Sequence, residues 1–361
     1  MYIKSIAVND FRNLRVSEIE LSQNINIIHG NNAQGKTNFL EAVYFCALGR
    51  SLRAASDVEL VNFDAKSANI RAEVVRGAVS SRMDMYLEKQ GNRAKKYVSV
   101  NRVPIRHMKD LFGRILVVMF TPEDLQLIKS GPAERRRFMD LEICQLSPIY
   151  YSELKEYHRA LKQRNALLKS LQKDKSQTDS LEIWDEQLCK HGSKIMQTRE
   201  SFINKISDAA AIIHKNITSG KETLKINYIQ NITENYLEEM AKSHTRDIYQ
   251  GSTSRGIHKD DIKFTINEIP VRNFGSQGQQ RTAALSAKLA EIEIIKQSTG
   301  ESPILLLDDV LSELDSHRQK FLLEEIVDLQ TIITCTGVED VLKLDNGYTT
   351  MVMDAGCIKM H

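Results

Sequence analysis

Several things are missing from this sequence, and each absence removes a class of function. No apolar run approaches the roughly 18–20 residues that a helix needs to cross a bilayer. The opening stretch MYIKSIAVNDFRNL alternates like a strand and lacks the apolar block of a signal peptide, so we expect a cytoplasmic location and no membrane partner. The five cysteines (Cys46, Cys144, Cys189, Cys335, Cys357) form no CxxC pair and no metal-ligand cluster, a pattern of bystander thiols in a reducing compartment. There are no internal repeats and no low-complexity tract. The helical middle of the chain carries no sustained a/d seam and is too short for a long coiled-coil arm. Net charge, at +2, decides little, because its distribution matters more.

What is present reads as an ordinary globular chain of 361 residues, 42% hydrophobic and 27% charged, long enough for two domains or for one domain with an insertion. NINIIHG (24–30) is an apolar strand entering a glycine-bounded loop, and KTNFLEAVYFCAL (36–48) switches to helical spacing. From about residue 68 to 101 the texture alternates, with Gly91-Asn92 as a hairpin turn. ILVVMF (115–120) has the continuous apolarity of a strand covered on both faces. Long helices are expected from Pro132 to about Gln145, from Ser147-Pro148 onward, and from about Leu181 to Asn216. Strands return at 222–229 and 261–267, and the last third alternates helix and strand again. The expected organisation is an α/β lobe built from 1–131 and 251–361, interrupted by a mainly helical lobe over 132–250.

GNNAQGKT (30–37) fits the phosphate-loop pattern G-x-x-x-x-G-K-S/T in the context it requires, after an apolar strand and opening a helix. Gly30 and Gly35 let backbone N–H groups turn inward, with Asn31, Asn32, Ala33 and Gln34 completing the cradle. Lys36 places a charge on the β- and γ-phosphate oxygens of ATP, and Thr37 supplies a hydroxyl to Mg²⁺. PILLLDD (303–309) is the partner strand: Asp308 is expected to hold the metal. Asp309, one step on and facing the other way, is expected to polarise the attacking water.

NFGSQGQQRTAALSAKLAE (273–291) opens a helix behind a Gly-Ser turn with three glutamines in its first turn. Such a turn is either a well-capped helix or a second anion site. With only one phosphate loop in the chain, the economical second reading puts Ser276, Gln277 and Gly278 on the γ-phosphate of ATP held by another copy, in a two-fold pair. Between Lys89 and Arg114 lie eight basic residues (Lys89, Arg93, Lys95, Lys96, Arg102, Arg106, Lys109, Arg114) against one acid, Asp110. KSGPAERRRF (129–138) adds Arg135, Arg136 and Arg137. These are a solvated basic face or a surface for DNA phosphates.

GNNAQGKT, SQGQQR, LLLDDVLSELD and TCT, in this order, resemble the motif series of the ABC-type ATPases of DNA maintenance, and within them the RecF family of bacterial recombination mediators. IAVNDFRNL, FTPEDLQLIKSGPAERRRFMD and GIHKDDIKF extend the likeness over nearly the whole chain. The resemblance implies an α/β ABC-type ATPase head with adjoining antiparallel strands and a helical insertion lobe. It implies weak ATP hydrolysis used as a switch, an ATP-dependent homodimer on double-stranded DNA near single-strand gaps, and recombinase loading with RecR and RecO. It places Ser276, Gln277 and Gly278 at the signature, Asp309 at the hydrolytic base, Ser312 to Asp315 at the D-loop and Arg12 near the nucleotide. Thr121–Asp124 takes the place of a Q-loop, with Glu123, Asp124 or Gln126 as its working side chain. Thr334 and Thr336 stand where ABC transporters have a switch histidine, which argues against a transporter subunit. Ile257 and Lys259 depart from the proline and arginine expected in GIHKDD, a segment to which no role is assigned. The competing reading is an ABC-type ATPase that acts on a protein partner without touching DNA.

Overall fold

The computed structural model describes residues 1–337 and 347–360, which cluster into two compact units, Met1–Asp124 with Glu291–His361 and Leu125–Ala290. The first unit begins with β1 (Tyr2–Phe11), β2 (Leu14–Glu20), β3 (Ile25–His29) and α1 (Lys36–Leu48). It continues with β4 (Ser67–Arg76), β5 (Val79–Gln90), β6 (Arg93–Val100), β7 (Val103–Pro104) and β8 (Val117–Phe120). The second unit holds α2 (Gln126–Lys129), α3 (Pro132–Leu146), α4 (Pro148–Leu171), α5 (Ser180–Ile217), β9 (Leu224–Ile229) and α6 (Tyr236–Gln250). It goes on through β10 (Asp261–Ile266), β11 (Ile269–Pro270), α7 (Val271–Phe274) and the start of α8 (Gln277–Thr299). The chain then returns to the first unit for β12 (Ile304–Asp308), α9 (Ser316–Glu325), β13 (Thr331–Cys335), β14 (Tyr348–Asp354) and β15 (Cys357–Met360).

Two sheets build the first unit. One runs β15-β14-β3-β13-β12-β8, with every pairing from β14 to β8 parallel. Strands β8, β12 and β13 are buried at every position, as largely apolar runs covered on both faces must be. Parallel pairing puts the carboxyl ends of β3, β12 and β13 at one edge, where α/β sheets place their ligand crevice. The other sheet is antiparallel, β2-β1-β4-β5-β6-β7. Strict alternation in β4 leaves every second residue buried, so only one face is packed. Gly91 is left-handed (φ 62°) at the β5–β6 turn, and Asn101 and Arg102 (φ 51° and 67°) make the next hairpin in the same way.

In the second unit α4 and α5 pack lengthwise, and the small sheet β11-β10-β9 lies beside α5 and α3. The division at 124/125 and 290/291 is wider than the 132–250 expected from the sequence. The physical reason is strand pairing: β10 exchanges its ladder bonds with β9 from Asp261↔Ile229 to Ile266↔Leu224, which draws 251–270 into the helical unit.

Candidate nucleotide site and signature turn

The phosphate loop has a backbone that few other sequences can take. Gly30 sits at φ 153°, and a Cβ there would meet the Met353 carbonyl oxygen at 2.4 Å. Gly35, at φ 117°, would drive a Cβ to 2.9 Å from Leu14. Ala33 is left-handed as well, at φ 64°. Asn31, Asn32 and Ala33 are exposed, while Gln34 braces the loop by accepting from the Ala355 N–H with its side chain (2.6 Å) and from the Gly356 N–H with its carbonyl (2.9 Å). Neither a side-chain cap nor an acidic residue occupies the first turn of α1. Its N–H groups and positive dipole end are left for an anion. The Lys36 ammonium donates to the carbonyls of Gly30 (2.7 Å) and Asn31 (2.9 Å).

The hydroxyl of Thr37 donates to Asp308 Oδ1 at 2.8 Å, across 271 residues of sequence. Thr334, on the adjacent strand β13, donates to the same oxygen at 2.8 Å and is buried. Burial raises the pKa of Asp308, an effect opposed by these two hydroxyls and by the charge of Arg53. Hydroxyl and carboxylate oxygens around a desolvated acid are the hard donor set that suits Mg²⁺. Glu123 also raises the Asp308 pKa by its charge, whereas Asp124 is spent on the Thr121 N–H (2.9 Å) and Gln126 accepts from Ser130 (2.6 Å). Asp309 is not a strand residue with the opposite facing, as the sequence suggested. The strand ends at Asp308, and Asp309 turns left-handed at φ 53°. Its carbonyl accepts from Ser312 (2.7 Å), and Asp315 caps α9 through the Arg318 N–H (2.9 Å).

Arg12 is also left-handed (φ 55°) and lies in a clamp. Its guanidinium makes two bonds to the buried Glu41 of α1 (3.1 and 3.2 Å) and one to the Glu59 carbonyl (3.1 Å). Ser51 donates to the same carboxylate and accepts from the N–H groups of Arg53 and Ala54. Nothing in periodicity or composition singles out Glu41. Its only signal is its place one turn after Thr37 on the same helix.

In the second unit the signature turn closes a reciprocal capping box. Ser276 Oγ accepts from the Gln279 N–H (3.2 Å), and Gln279 Oε1 accepts from the Ser276 N–H (2.9 Å). Gln280 is buried and donates to the carbonyls of Val271 (3.3 Å) and Arg272 (3.4 Å). Two of the three glutamines therefore hold the turn, and Ser276 and Gln277 are left exposed at its tip.

The chain matches the family described as RecF/RecN/SMC N terminal domain over residues 2–359. It is 47% identical over 345 residues to the DNA replication and repair protein RecF of Lachnospira eligens, covering 95% of this chain and 94% of that one. With the RecF of Clostridium acetobutylicum the identity is 42% over 99% of both chains. The chain belongs to the RecF family. A solved structure described as the recombination mediator protein RecF-ATP in the RecFOR pathway superposes with a TM-score of 0.92 at 35% identity, covering 100% of this chain and 97% of that one. An Smc head bound to the C-terminal winged-helix domain of ScpA shares the fold at 16% identity, with a TM-score of 0.58. The architecture is thus the RecF/SMC-head type of ABC ATPase fold.

Against that family fold, the basic residues singled out in the sequence separate into two groups. Arg93, Arg102 and Arg106 are exposed. Lys95 is exposed too, but it pairs in register with Glu88 and lies over the Tyr97 ring. Lys96 points inward, donating to the Gly49 carbonyl (2.5 Å) and Asp57 (2.9 Å) above the Phe45 ring. Lys89 is tied to the carbonyls of Asn62 (2.6 Å) and Phe63 (3.1 Å). Arg135 leaves the set of surface charges: it is 3% exposed and forms a two-bond pair with Asp261 (2.6 and 2.9 Å). Arg136 donates to the Asp260 carbonyl (2.7 Å), and Arg137 is exposed. The physical reason is periodicity, since three successive arginines on one helix cannot share a face.

GIHKDD, which had no role from sequence, is the hub of the second unit. Asp260 accepts from buried Arg199 (3.1 Å), from the Tyr228 hydroxyl and from the Asn231 N–H (2.8 Å). The Ile257 carbonyl also accepts from Arg199 (2.8 Å), and His258 meets the Tyr157 hydroxyl (2.9 Å). Arg199 reaches Asp140 on α3 as well (2.8 Å), so the segment ties α3, α4, α5 and β9 together.

Proposed function

We propose that this chain binds MgATP, pairs through ATP with a second copy of itself on duplex DNA near single-strand gaps, and helps load recombinase there with RecR and RecO. The observation that carries the nucleotide part is the Thr37–Asp308 bond of 2.8 Å beside the uncapped start of α1. In this reading the loop N–H groups take the β-phosphate, and Lys36 exchanges its present carbonyl partners for β- and γ-oxygens. Thr37 and Asp308 would hold Mg²⁺, which would supply positive charge to offset that of the phosphates. Asp309 orients the water that attacks the γ-phosphorus and takes up its proton; the bond to the β–γ bridging oxygen breaks, and ADP departs with the electron pair, leaving inorganic phosphate. Arg12, aimed by Glu41, adds positive charge beside the nucleotide.

Ser276, Gln277 and Gly278 of one copy close on the γ-phosphate held by the other. The Ser276 oxygen accepts within its own turn, which leaves its O–H to donate to phosphate. DNA is held by charge and not by base edges, so its affinity falls with salt. The likeness to a RecF–ATP structure in the RecFOR pathway supports the choice of nucleotide and partners. Sedimentation of Asp309→Asn with ATP and labelled duplex DNA tests the whole reading. We expect dimers that carry DNA with them, and a monomer that binds ATP yet neither pairs nor takes up DNA would sink it.

One observation favours a second reading, an ABC-type ATPase acting on a protein partner. Lys95 faces Glu88 and Lys96 is turned inward, which thins the basic surface. Stimulation of ATP turnover by DNA separates the two, since a purely protein-directed ATPase gains nothing from duplex.

A further inference from the structure

Gln279, besides closing the capping box with Ser276, donates through Nε2 to Glu222 Oε1 at 2.9 Å. The other oxygen of Glu222 meets His214 Nε2 at 3.1 Å. His214 is fully buried near the end of the 38-residue helix α5, and its Nδ1 meets the Ser286 hydroxyl at 3.2 Å. Ser286 in turn donates to the Thr282 carbonyl within α8 (2.8 Å), and Thr282 donates to the Gly278 carbonyl (2.8 Å). The run of bonds leaves the signature turn at Ser276, crosses to the loop before β9, enters the end of α5 and returns to the signature helix two turns on. All of it lies within the second unit.

We propose that His214 and Glu222 are positioning residues for the signature: through Gln279 they fix the Ser276 cap, and so hold the turn in the conformation that receives the ATP of a second copy. The inference rests on the trans-signature reading above. Its chemistry is that of an orienting hydrogen bond. A Gln279 side chain without Glu222 keeps its local cap but is no longer restricted to one rotamer, and an exposed first turn frays readily. A signature turn spread over several conformers binds its target more weakly by the fraction of time it spends misplaced. The relay also gives the longest helix of the unit a direct line to the turn, so that whatever loads α5 reaches the signature.

The test uses the full chain carrying Asp309→Asn to prevent turnover, with ATP-dependent dimerisation read by sedimentation and ATP binding by a fluorescent ATP analogue. Glu222→Ala is expected to weaken dimerisation about tenfold while the analogue binds the monomer within twofold of the parent. Glu222→Gln, which keeps the oxygen that Gln279 needs, is expected to restore most of it. The sharper variant is reversal. Gln279→Glu alone sets two carboxylates against each other and should weaken pairing as much as Glu222→Ala. Glu222→Gln with Gln279→Glu rebuilds the bond with donor and acceptor exchanged and should recover pairing. Recovery in the double variant is not expected of residues that only fill space. Full dimerisation by Glu222→Ala, or no recovery by the reversed pair, overturns the relay. A Ser276→Arg control tells the two failures apart: if it too dimerises normally, the trans-signature reading has fallen and the relay with it, and if it stays monomeric, only the relay has.

Discussion

Thr334 and Asp308 stand hydroxyl to carboxylate at 2.8 Å on adjacent parallel strands, and Thr37 reaches the same oxygen from the phosphate-loop helix. Two neutral donors hold a desolvated acid to which, among the described residues, no arginine or lysine is bonded. Without a cation the ionised acid is a liability to the fold.

Asp308→Asn is therefore expected to stabilise the nucleotide-free protein while removing Mg²⁺-dependent ATP binding. The sign follows from linkage. A carboxyl whose folded pKa is raised binds more protons folded than unfolded, so its ionisation costs stability as pH rises through the folded value. The stabilisation by asparagine should be full above the raised folded value and shrink as pH falls through it toward the ordinary carboxylate range. Thermal melts at two pH values, with and without MgATP, check it, and an asparagine variant that melts lower at pH 7 contradicts it.

Asp309 is left-handed, a conformation that asparagine and glycine tolerate and β-branched residues do not. Asp309→Asn should fold with the stability of the parent and lose hydrolysis. Asp309→Val should lose hydrolysis and also about 1–3 kcal/mol of stability from strain. Urea denaturation beside single-turnover hydrolysis distinguishes the two effects.

His258 is pushed down to about 4 by burial. Between that value and the ordinary histidine pKa the unfolded chain takes up a proton that the folded chain refuses. Stability should thus fall as pH drops from about 6.5 toward 4, and rise again with pH. His258→Asn should flatten that slope. Denaturation midpoints at pH 7.5 and 5 measure it, and an unchanged slope would place the pH sensitivity elsewhere.

For DNA, the exposed Arg93, Arg102 and Arg106 are the residues to remove, each to glutamine. Every arginine that neutralises a phosphate should, once replaced, lower the slope of log affinity against log salt by about 0.9. Lys96→Gln should instead lower the melting temperature, because it strips donors from the Gly49 carbonyl and Asp57. Titrations across a salt series decide the matter, and an unchanged slope in the triple variant sends the DNA elsewhere.

Arg199 bridges Asp140 and Asp260 at 2% side-chain exposure. Replacing it with leucine leaves two acids unpaired, one of them fully buried, and should cost about 3–5 kcal/mol in a urea melt. Lys194, on the exposed side of the same helix, should change stability by less than about 1 kcal/mol when truncated.

By itself the sequence determined those parts of this protein whose information is local. Eight consecutive residues specify the phosphate loop, because glycine placement and a helix start are properties of one short backbone. The acid-terminated strand, the hairpin at Gly91 and the long helices are legible for the same reason: each is a period or a turn read from neighbours. Tertiary structure alone decided which of these pieces meet. Alternation shows that β6 has two faces, but contact with Phe45 of α1 is what turns Lys96 inward, and the register with β5 is what sets Lys95 opposite Glu88. Glu41 on Arg12, Thr334 on Asp308 and Asp260 on Arg199 join residues 26 to 61 positions apart. No periodicity extends that far, since such pairings are set by how layers stack and not by how the chain repeats.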